Sequence, residues 1–203
     1  MSIPEILSFV LASTVLAFTP GPDIIFVIVT SLGQGFKTAF KFILGLSTGI
    51  ILHTTLIVVG VSTLISQSTY GLTVLKVFSV SYLIWLAYLT FIHRKEQIHL
   101  KSEKLQSNHY VRGFIMNVTN PKVLLFFLAF FPQFANLQVP GYQSRLIVLG
   151  LIFIAVTIAV FSFIAWLSAN SSRKYIENPK FSVAINYLAI VVFIGVAVLL
   201  IFN

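Results

Sequence analysis

Two short stretches decide the fold of this chain: Thr19-Pro20-Gly21-Pro22-Asp23 and Thr119-Asn120-Pro121-Lys122. Each interrupts a segment that is otherwise apolar enough for lipid, and one lies in each half of the 203-residue chain. Proline and glycine break the hydrogen-bond ladder of a helix, and an ionised side chain at bilayer depth costs about 2.5–3.5 kcal/mol on insertion scales. Such breaks are tolerated only where the broken backbone lines a protected polar cavity. Paired breaks in two halves therefore point to the binding site of a transporter.

The composition is that of an integral membrane protein. Apolar residues make up 58% of the chain, charged residues only 9%, and the mean hydropathy is +0.99. These values lie far from those of soluble proteins. The net charge of +8 could suggest nucleic acid, but the basic residues fall between the apolar segments. The positive-inside bias of membrane proteins explains this pattern, so we expect no nucleic-acid partner.

Six apolar segments, each near the ~20 residues needed to cross about 30 Å of hydrocarbon, predict an all-α integral membrane protein with six transmembrane helices. Helix 1 is expected to be broken at Pro-Gly-Pro and helix 4 at Asn-Pro. Three spans in each half predict two inverted three-helix repeats, at about 1–92 and 111–203, joined by a linker at about 93–110. The whole chain, 1–203, is expected to be one membrane transport domain. The predicted spans cover residues 5–31, 38–66, 72–92, 111–134, 145–169 and 183–202.

The distribution of basic residues predicts the orientation in the membrane. Of the 13 Lys and Arg residues, Lys76 and Lys122 fall inside spans, Arg145 lies in a loop on one side, and the remaining ten lie on the other side. The positive-inside rule places those ten in the cytoplasm. We therefore expect a multi-pass protein of the plasma (inner) membrane with both termini outside and the 93–110 loop in the cytoplasm. The ten are Lys37, Lys41, Arg94, Lys95, Lys101, Lys104, Arg112, Arg173, Lys174 and Lys180.

Four stretches of the chain resemble the LysE/RhtB-type family of amino-acid exporters (translocators). The longest is Asn-Val-Thr-Asn-Pro-Lys-Val-Leu-Leu-Phe-Phe-Leu-Ala-Phe-Phe-Pro-Gln-Phe at 117–134, in span 4. The others are residues 19–23 in span 1, Gly45-Leu46-Ser47-Thr48-Gly49 in span 2 and Tyr82-Leu83-Ile84-Trp85-Leu86 in span 3. The resemblance extends over essentially the whole chain in length, span number and motif order. It implies a membrane protein that exports amino acids.

The candidate substrate- and proton-binding residues are grouped around the two breaks. Asp23 is the only carboxylate expected at membrane depth, where it could bind a proton or a substrate ammonium, or serve as a structural ion-pair partner or helix N-cap. Lys122 could pair with Asp23, attract a substrate carboxylate, or extend to the membrane interface. The rest of the candidate set is Thr19, Gly21, Pro22, His53, Thr119, Asn120 and Pro121.

Three polar members of this set have structural alternatives as well. Asn120 and Thr119 offer an amide and a hydroxyl beside the exposed backbone, or they cap the half-helix after the break. His53, in the middle of span 2, could relay protons or form a hydrogen bond to a neighbouring helix. Gly45 and Gly49, four residues apart, are expected to let two helices approach closely.

These features predict a secondary active exporter of amino acids or similar small zwitterions, driven by proton antiport. One alternative is a metal-cation exporter on the same scaffold, which the single intramembrane carboxylate and the absence of Cys disfavour. The other is a non-transporting membrane protein, such as an assembly factor or an intramembrane enzyme. Without a Walker A, zinc-protease or lipase motif, we expect no catalytic residue, cofactor or metal site. The expected partners are the amino acid, protons and the lipid bilayer; a homo-oligomer is compatible with the sequence.

Overall fold

The computed structural model describes residues 1–19, 21–67, 70–94, 108–137, 139–170 and 179–202. Every regular element within these ranges is a helix, as the sequence predicts. Because the polar backbone of a chain in lipid must satisfy its own hydrogen bonds, helices are the natural form for such a composition. The elements are α1 (Ile3–Phe18), α2 (Pro22–Gln34), α3 (Phe36–Gln67), α4 (Gly71–Ile92), α5 (His109–Thr119), α6 (Pro121–Leu125), a π-helical turn (Phe126–Phe130), α7 (Phe131–Ala135), α8 (Tyr142–Asn170) and α9 (Pro179–Phe202).

Two of the apolar segments are divided into separate helices at their prolines. α1 ends at Phe18, α2 begins at Pro22, and the two helices are bent by 61°. α5 ends at Thr119, α6 begins at Pro121, and the bend between α5 and the Pro121–Ala135 segment is 54°. Proline is favourable as a first helical residue because no hydrogen-bond donor is lost there. Both breaks lie where the sequence predicts them, although Pro20 lies outside the described residues.

The segment after the second break contains a π-helical turn that the sequence analysis does not predict. This turn brings Phe126 and Phe127 into an aromatic cluster with Phe9, Phe131 and Phe153. The ring centroids of Phe127 and Phe131 lie 4.6 Å apart, and those of Phe126 and Phe153 lie 5.0 Å apart. The rings of Phe9 and Phe131 meet edge to face. The cluster fixes the second half of span 4 against α1 and α8.

Glycines allow α3 and α5 to pack backbone against backbone. A Cβ atom at Gly45 would overlap the backbone of Tyr110, and one at Gly113 would overlap the carbonyl oxygen of Phe42. Gly49 differs from the prediction, since the group that fills the space beside it is the side chain of Asn117 rather than backbone. Two of these glycines thus bring the helices together, and the third makes room for a polar side chain.

The molecule is apolar outside and carries polar groups inside, which is the arrangement expected in lipid. Val59, Leu151 and Val191 each expose more than 60% of their surface. The buried polar side chains come from α1, α2, α3, α4, α5, α8 and α9 and from both helix breaks. They include Ser13, Asp23, Thr30, Ser47, His53, Asn117, Asn120 and Thr157.

Two helices in the described ranges are by themselves long and apolar enough to cross a membrane. They are Phe36–Gly60 within α3, with 25 residues, and α8, with 29 residues. If each bent pair forms one span, the number rises to four. The chain is therefore a helical membrane protein, while the six-span, two-repeat architecture stays a prediction. Residues 95–107 of the predicted cytoplasmic linker lie outside the described residues.

Candidate functional site

The two helix breaks contact each other through Asp23 and Asn120. The side-chain amide nitrogen of Asn120 donates a hydrogen bond to Asp23 Oδ2 at 2.8 Å, and both side chains are only 3% exposed. Asn120 also caps α6, because its Oδ1 accepts from the backbone N–H of Lys122 at 3.0 Å. Asp23 lies in the first turn of α2, where the helix dipole favours a negative charge. The N-cap position itself belongs to Gly21, so Asp23 is not the N-cap that the sequence left as an alternative.

One oxygen of the Asp23 carboxylate is left without a partner. Oδ1 is buried and has no hydrogen-bond donor in the described part of the chain. A buried acceptor without a donor costs about 1–3 kcal/mol, and more when it carries charge. A proton at Oδ1 would remove the buried charge, and a bound cationic donor would supply the missing hydrogen bond. The carboxylate is therefore held by Asn120 on one side and available on the other.

Lys122 joins the second break to the end of α1. Its Nζ donates hydrogen bonds to the carbonyl oxygens of Leu16 at 3.2 Å and Thr19 at 3.0 Å. Carbonyls at the end of a helix lack partners within the helix, and a cation there is favoured by the helix dipole. A Cβ atom at Gly21 would lie 3.2 Å from Nζ, so glycine leaves room for the ammonium. The ammonium thus bonds to α1 rather than to the Asp23 carboxylate, although the two charges still attract each other.

The two threonines of the motifs have different surroundings. Thr19 is buried, and its hydroxyl donates to the Val15 carbonyl oxygen at 2.8 Å. Thr119 is exposed, and its hydroxyl donates to the Ile115 carbonyl oxygen at 2.9 Å. Both hydroxyls are therefore satisfied within their own helices. Thr19 contributes its backbone carbonyl to the site, whereas the Thr119 hydroxyl bonds to carbonyl oxygens of its own helix.

The prolines contribute through the backbone, since Pro22 and Pro121 are exposed and begin α2 and α6. They set the points at which α2 and α6 begin, and thereby place Asp23 and Asn120 beside the breaks. Neither proline offers a polar side-chain group, so their role in the site is to create the break.

His53 is buried in α3 and contacts the helix that precedes the second break. Its Nε2 lies 3.4 Å from the Asn117 carbonyl oxygen, and its ring stacks on Phe127 with centroids 5.3 Å apart. The same carbonyl oxygen accepts from the backbone N–H of Asn120 at 3.1 Å. His53 is therefore hydrogen-bonded to a neighbouring helix, one of the two alternatives expected, and reaches Asp23 only through Asn117 and Asn120.

Sequence reasoning left Asn117 and Tyr82 out of the candidate set. Asn117 is 3% exposed and lies one turn before Asn120. The Tyr82 hydroxyl donates to the Lys122 carbonyl oxygen at 3.0 Å, which ties α4 to the second break. Both residues belong to the stretches that carry the family resemblance. The sequence signal that could have identified them is a polar side chain within an apolar span.

Comparison with known proteins identifies the family. Residues 14–203 match the family described as LysE type translocator. The chain is 34% identical over 181 residues to the homoserine/homoserine lactone efflux protein of Salmonella typhimurium, covering 88% of this chain and 87% of that protein. It is 25% identical over 193 residues to the leucine efflux protein of Enterobacter sp., covering 94% and 92%. No solved structure gives a significant match. The chain therefore belongs to the LysE type translocator family, as the resemblance of its motifs predicts.

Proposed function

We propose that this protein is a secondary active exporter of amino acids or similar small zwitterions in the plasma membrane, driven by proton antiport. The observation that carries the proposal is the buried Asp23 carboxylate at the contact of the two breaks, with one oxygen bound by Asn120 and the other unpaired. The similarity to proteins named for the efflux of homoserine, its lactone and leucine supports a small amino-acid-like substrate.

Each charged group of a zwitterion has a partner of opposite charge at the breaks. The substrate ammonium donates to Asp23 Oδ1, which has no other donor within the described ranges. Lys122 uses two of its three N–H groups on the carbonyl oxygens of Leu16 and Thr19, so one remains for the substrate carboxylate. Charge-assisted hydrogen bonds of this kind are about twice as strong as neutral ones.

Competition for one carboxylate couples the substrate to the proton. A proton and an ammonium group each compensate the buried charge of Asp23, and both cannot occupy Oδ1 together. A proton arriving from outside neutralises the carboxylate, weakens the hold on the ammonium and releases the substrate there. The protonated carrier then returns and gives up its proton inside, where the next substrate binds. Such exchange at a site between two repeats is the usual logic of alternating access.

The proposal includes one domain, 1–203, of six spans in two inverted three-helix repeats, with both termini outside and the 93–110 loop in the cytoplasm. Contacts between corresponding spans support two related halves, since α3 packs on α8 and α4 packs on α9. At one end of the second pair, Lys76 Nζ donates to the Ile201 carbonyl oxygen, and at the other Asn186 Nδ2 donates to the Arg94 carbonyl oxygen.

The alternatives have less support. A cation exporter needs several hard or soft ligands together. In the part of the chain that the structure describes, the His, Cys, Asp and Glu side chains form no group of three or more that could hold a metal ion. An assembly factor or enzyme finds no support in the comparisons, since the named relatives that they give are efflux proteins.

The test is the Asp23→Asn variant, which keeps the shape of the side chain and removes its titration. Cells are loaded with dipeptides of homoserine or leucine, and efflux is followed with and without a pH gradient. We expect Asp23→Asn to reach normal amounts in the membrane and to lose gradient-driven efflux. The control is Glu5→Gln, at an exposed carboxylate whose capping box with Ser2 accepts glutamine equally well. Normal coupled export by Asp23→Asn would exclude the mechanism.

A further inference from the structure

A second buried acceptor without a donor lies beside the site, on Asn117. Its side chain is 3% exposed, and Oδ1 has no hydrogen-bond partner among the residues that the structure describes. The backbone carbonyl of the same residue is well used, because it accepts from the Asn120 N–H at 3.1 Å and lies 3.4 Å from His53 Nε2. The unpaired acceptor of Asn117 is therefore its side-chain oxygen, since its backbone carbonyl has partners.

The helix opposite Asn117 is shaped to hold this side chain in place. A Cβ atom at Gly49 would lie 2.5 Å from Asn117 Oδ1 and 2.8 Å from its Cβ, so any larger residue would displace the amide. Asn120, one turn further on, connects Asn117 to Asp23 through one backbone and one side-chain hydrogen bond. The fold thus keeps two unpaired oxygens, Asn117 Oδ1 and Asp23 Oδ1, on residues that Asn120 joins by these two bonds.

Two buried acceptors call for a ligand with more than one donor. Each costs about 1–3 kcal/mol while unpaired, and more for the charged one, so the empty site is destabilised until donors arrive. A proton alone neutralises Asp23 and leaves Asn117 Oδ1 unpaired. A primary ammonium group carries three N–H donors and a positive charge, so it can donate to two acceptors at once.

We propose that Asn117 is a second substrate-binding residue, whose Oδ1 accepts one hydrogen of the substrate ammonium while Asp23 Oδ1 accepts another. The inference rests on the proposed amino-acid export and deepens it, because it assigns the substrate class as compounds with a primary ammonium group. An amine without N–H groups keeps its charge but leaves Asn117 unpaired, and the site rejects it for that reason.

The test compares leucine or homoserine, whichever the wild type transports, with its N,N,N-trimethyl derivative. Both compete with labelled substrate for counterflow into proteoliposomes that contain the purified protein. The half-inhibiting concentration of the trimethyl derivative, divided by that of the amino acid, is a ratio that measures selection for N–H groups. We expect Asn117→Leu, of similar shape, to lower this ratio about tenfold, as loss of one hydrogen bond to a charged donor implies. Asn117→Asp, which keeps an acceptor oxygen, should retain the ratio of the wild type.

Thermal unfolding of the ligand-free protein distinguishes a substrate-binding asparagine from one that stabilises the fold. Leucine removes an unpaired buried acceptor, so Asn117→Leu should raise Tm by about 2–4 °C. The matched control is Asn186→Leu, since Asn186 is buried but donates to the Arg94 carbonyl oxygen at 3.2 Å. That variant should lower Tm and leave the selection ratio unchanged.

The outcomes separate the two proposals. A wild type that exports neither amino acid contradicts the proposed function, and the inference about Asn117 with it. A wild type that exports, together with an unchanged ratio in Asn117→Leu, contradicts the inference alone. An unfolded or strongly destabilised Asn117→Leu also overturns it, because an unpaired acceptor should be dispensable to the empty protein. A ratio that falls equally in Asn117→Asp shows that the oxygen is not the group that matters.

Discussion

The ammonium of Lys122 donates a hydrogen bond to the backbone carbonyl oxygen of Thr19 at 3.0 Å, which joins the second helix break to the first. The two residues lie 103 positions apart in the chain. A second bond to the Leu16 carbonyl oxygen makes Lys122 a cap for the C-terminal end of α1. Asn120, two residues before Lys122, bonds to Asp23 at the start of α2. Residues 120–122 therefore contact both helices that meet at the first break, the end of α1 and the start of α2.

The close packing of α3 on α5 predicts opposite effects for two glycines. Gly113→Ala should destabilise the protein by about 1–3 kcal/mol, since its Cβ would overlap the Phe42 carbonyl oxygen and force the helices apart. Gly60→Ala, in α3, has open space around its Cβ and should stabilise the helix by about 0.5–1 kcal/mol. Thermal unfolding of the purified variants in detergent measures both. Equal effects of the two substitutions would contradict the packing.

His53→Gln should retain gradient-driven export. The histidine Nε2 lies 3.4 Å from the Asn117 carbonyl oxygen, and the glutamine amide offers a similar donor to the same acceptor. Some stability should be lost with the ring stacking on Phe127. The measurement is efflux with and without a pH gradient, normalised to the amount of protein in the membrane. Loss of the pH dependence with normal amounts would place His53 in the proton path.

The second break predicts unequal roles for adjacent residues. Thr119→Val should keep export within about twofold of the wild type, because the exposed hydroxyl bonds only to its own helix. Asn120→Leu removes the bond to Asp23 and the cap of α6, and should lower export at least about tenfold. Initial efflux rates normalised to protein amount test this difference. Similar losses of export in the two variants would show that the Asn120 side chain contributes no more to export than the Thr119 side chain.

Much of the helical fold could be predicted from the sequence, because the determining signals are local. Proline cannot continue a helix, so the starts of α2 at Pro22 and α6 at Pro121 follow from residue type alone. Each predicted span matches within a few residues either one helix or, at the two breaks, a run of consecutive helices. The π-helical turn at Phe126–Phe130 has no such signal, since it contains neither proline nor glycine and depends on packing of the aromatic cluster.

The contacts within the site could be predicted only in part. The sequence identifies Asp23, Asn120 and Lys122 from their position at the breaks, but it leaves a pair between Asp23 and Lys122 as one of several alternatives. In the structure the carboxylate bonds to Asn120 and the ammonium to backbone carbonyls. Which donor meets which acceptor depends on how two segments about 100 residues apart pack together, and residue spacing contains no information on that.

The bias of basic residues predicts that the loop between the halves faces the cytoplasm. The chain has no cysteine, so a single cysteine introduced at Ser102 gives a signal without background. We expect an impermeant thiol reagent to label Ser102→Cys in inverted membrane vesicles and not in intact cells. A cysteine introduced at Ser2 should show the reverse pattern. Labelling of Ser102→Cys from outside would overturn the proposed orientation.

The hydrogen bonds of Lys122 predict that it stabilises the protein even without the Asp23 charge. Lys122→Met removes the donor to the Leu16 and Thr19 carbonyl oxygens, and should lower Tm and membrane yield in the wild type. Asp23→Asn should have a small effect on stability by itself, because asparagine keeps the contact with Asn120.

The double variant Asp23→Asn/Lys122→Met distinguishes a helix cap from an ion pair. If Lys122 chiefly neutralised Asp23, removing both charges would restore stability, since neither would remain buried without its partner. Because the ammonium bonds to carbonyls of α1, we expect Lys122→Met to lower Tm in the Asp23→Asn background by nearly as much as in the wild type. Thermal unfolding of the four proteins gives the interaction free energy directly. Recovery of the wild-type Tm in the double variant would establish the ion pair and refute the cap.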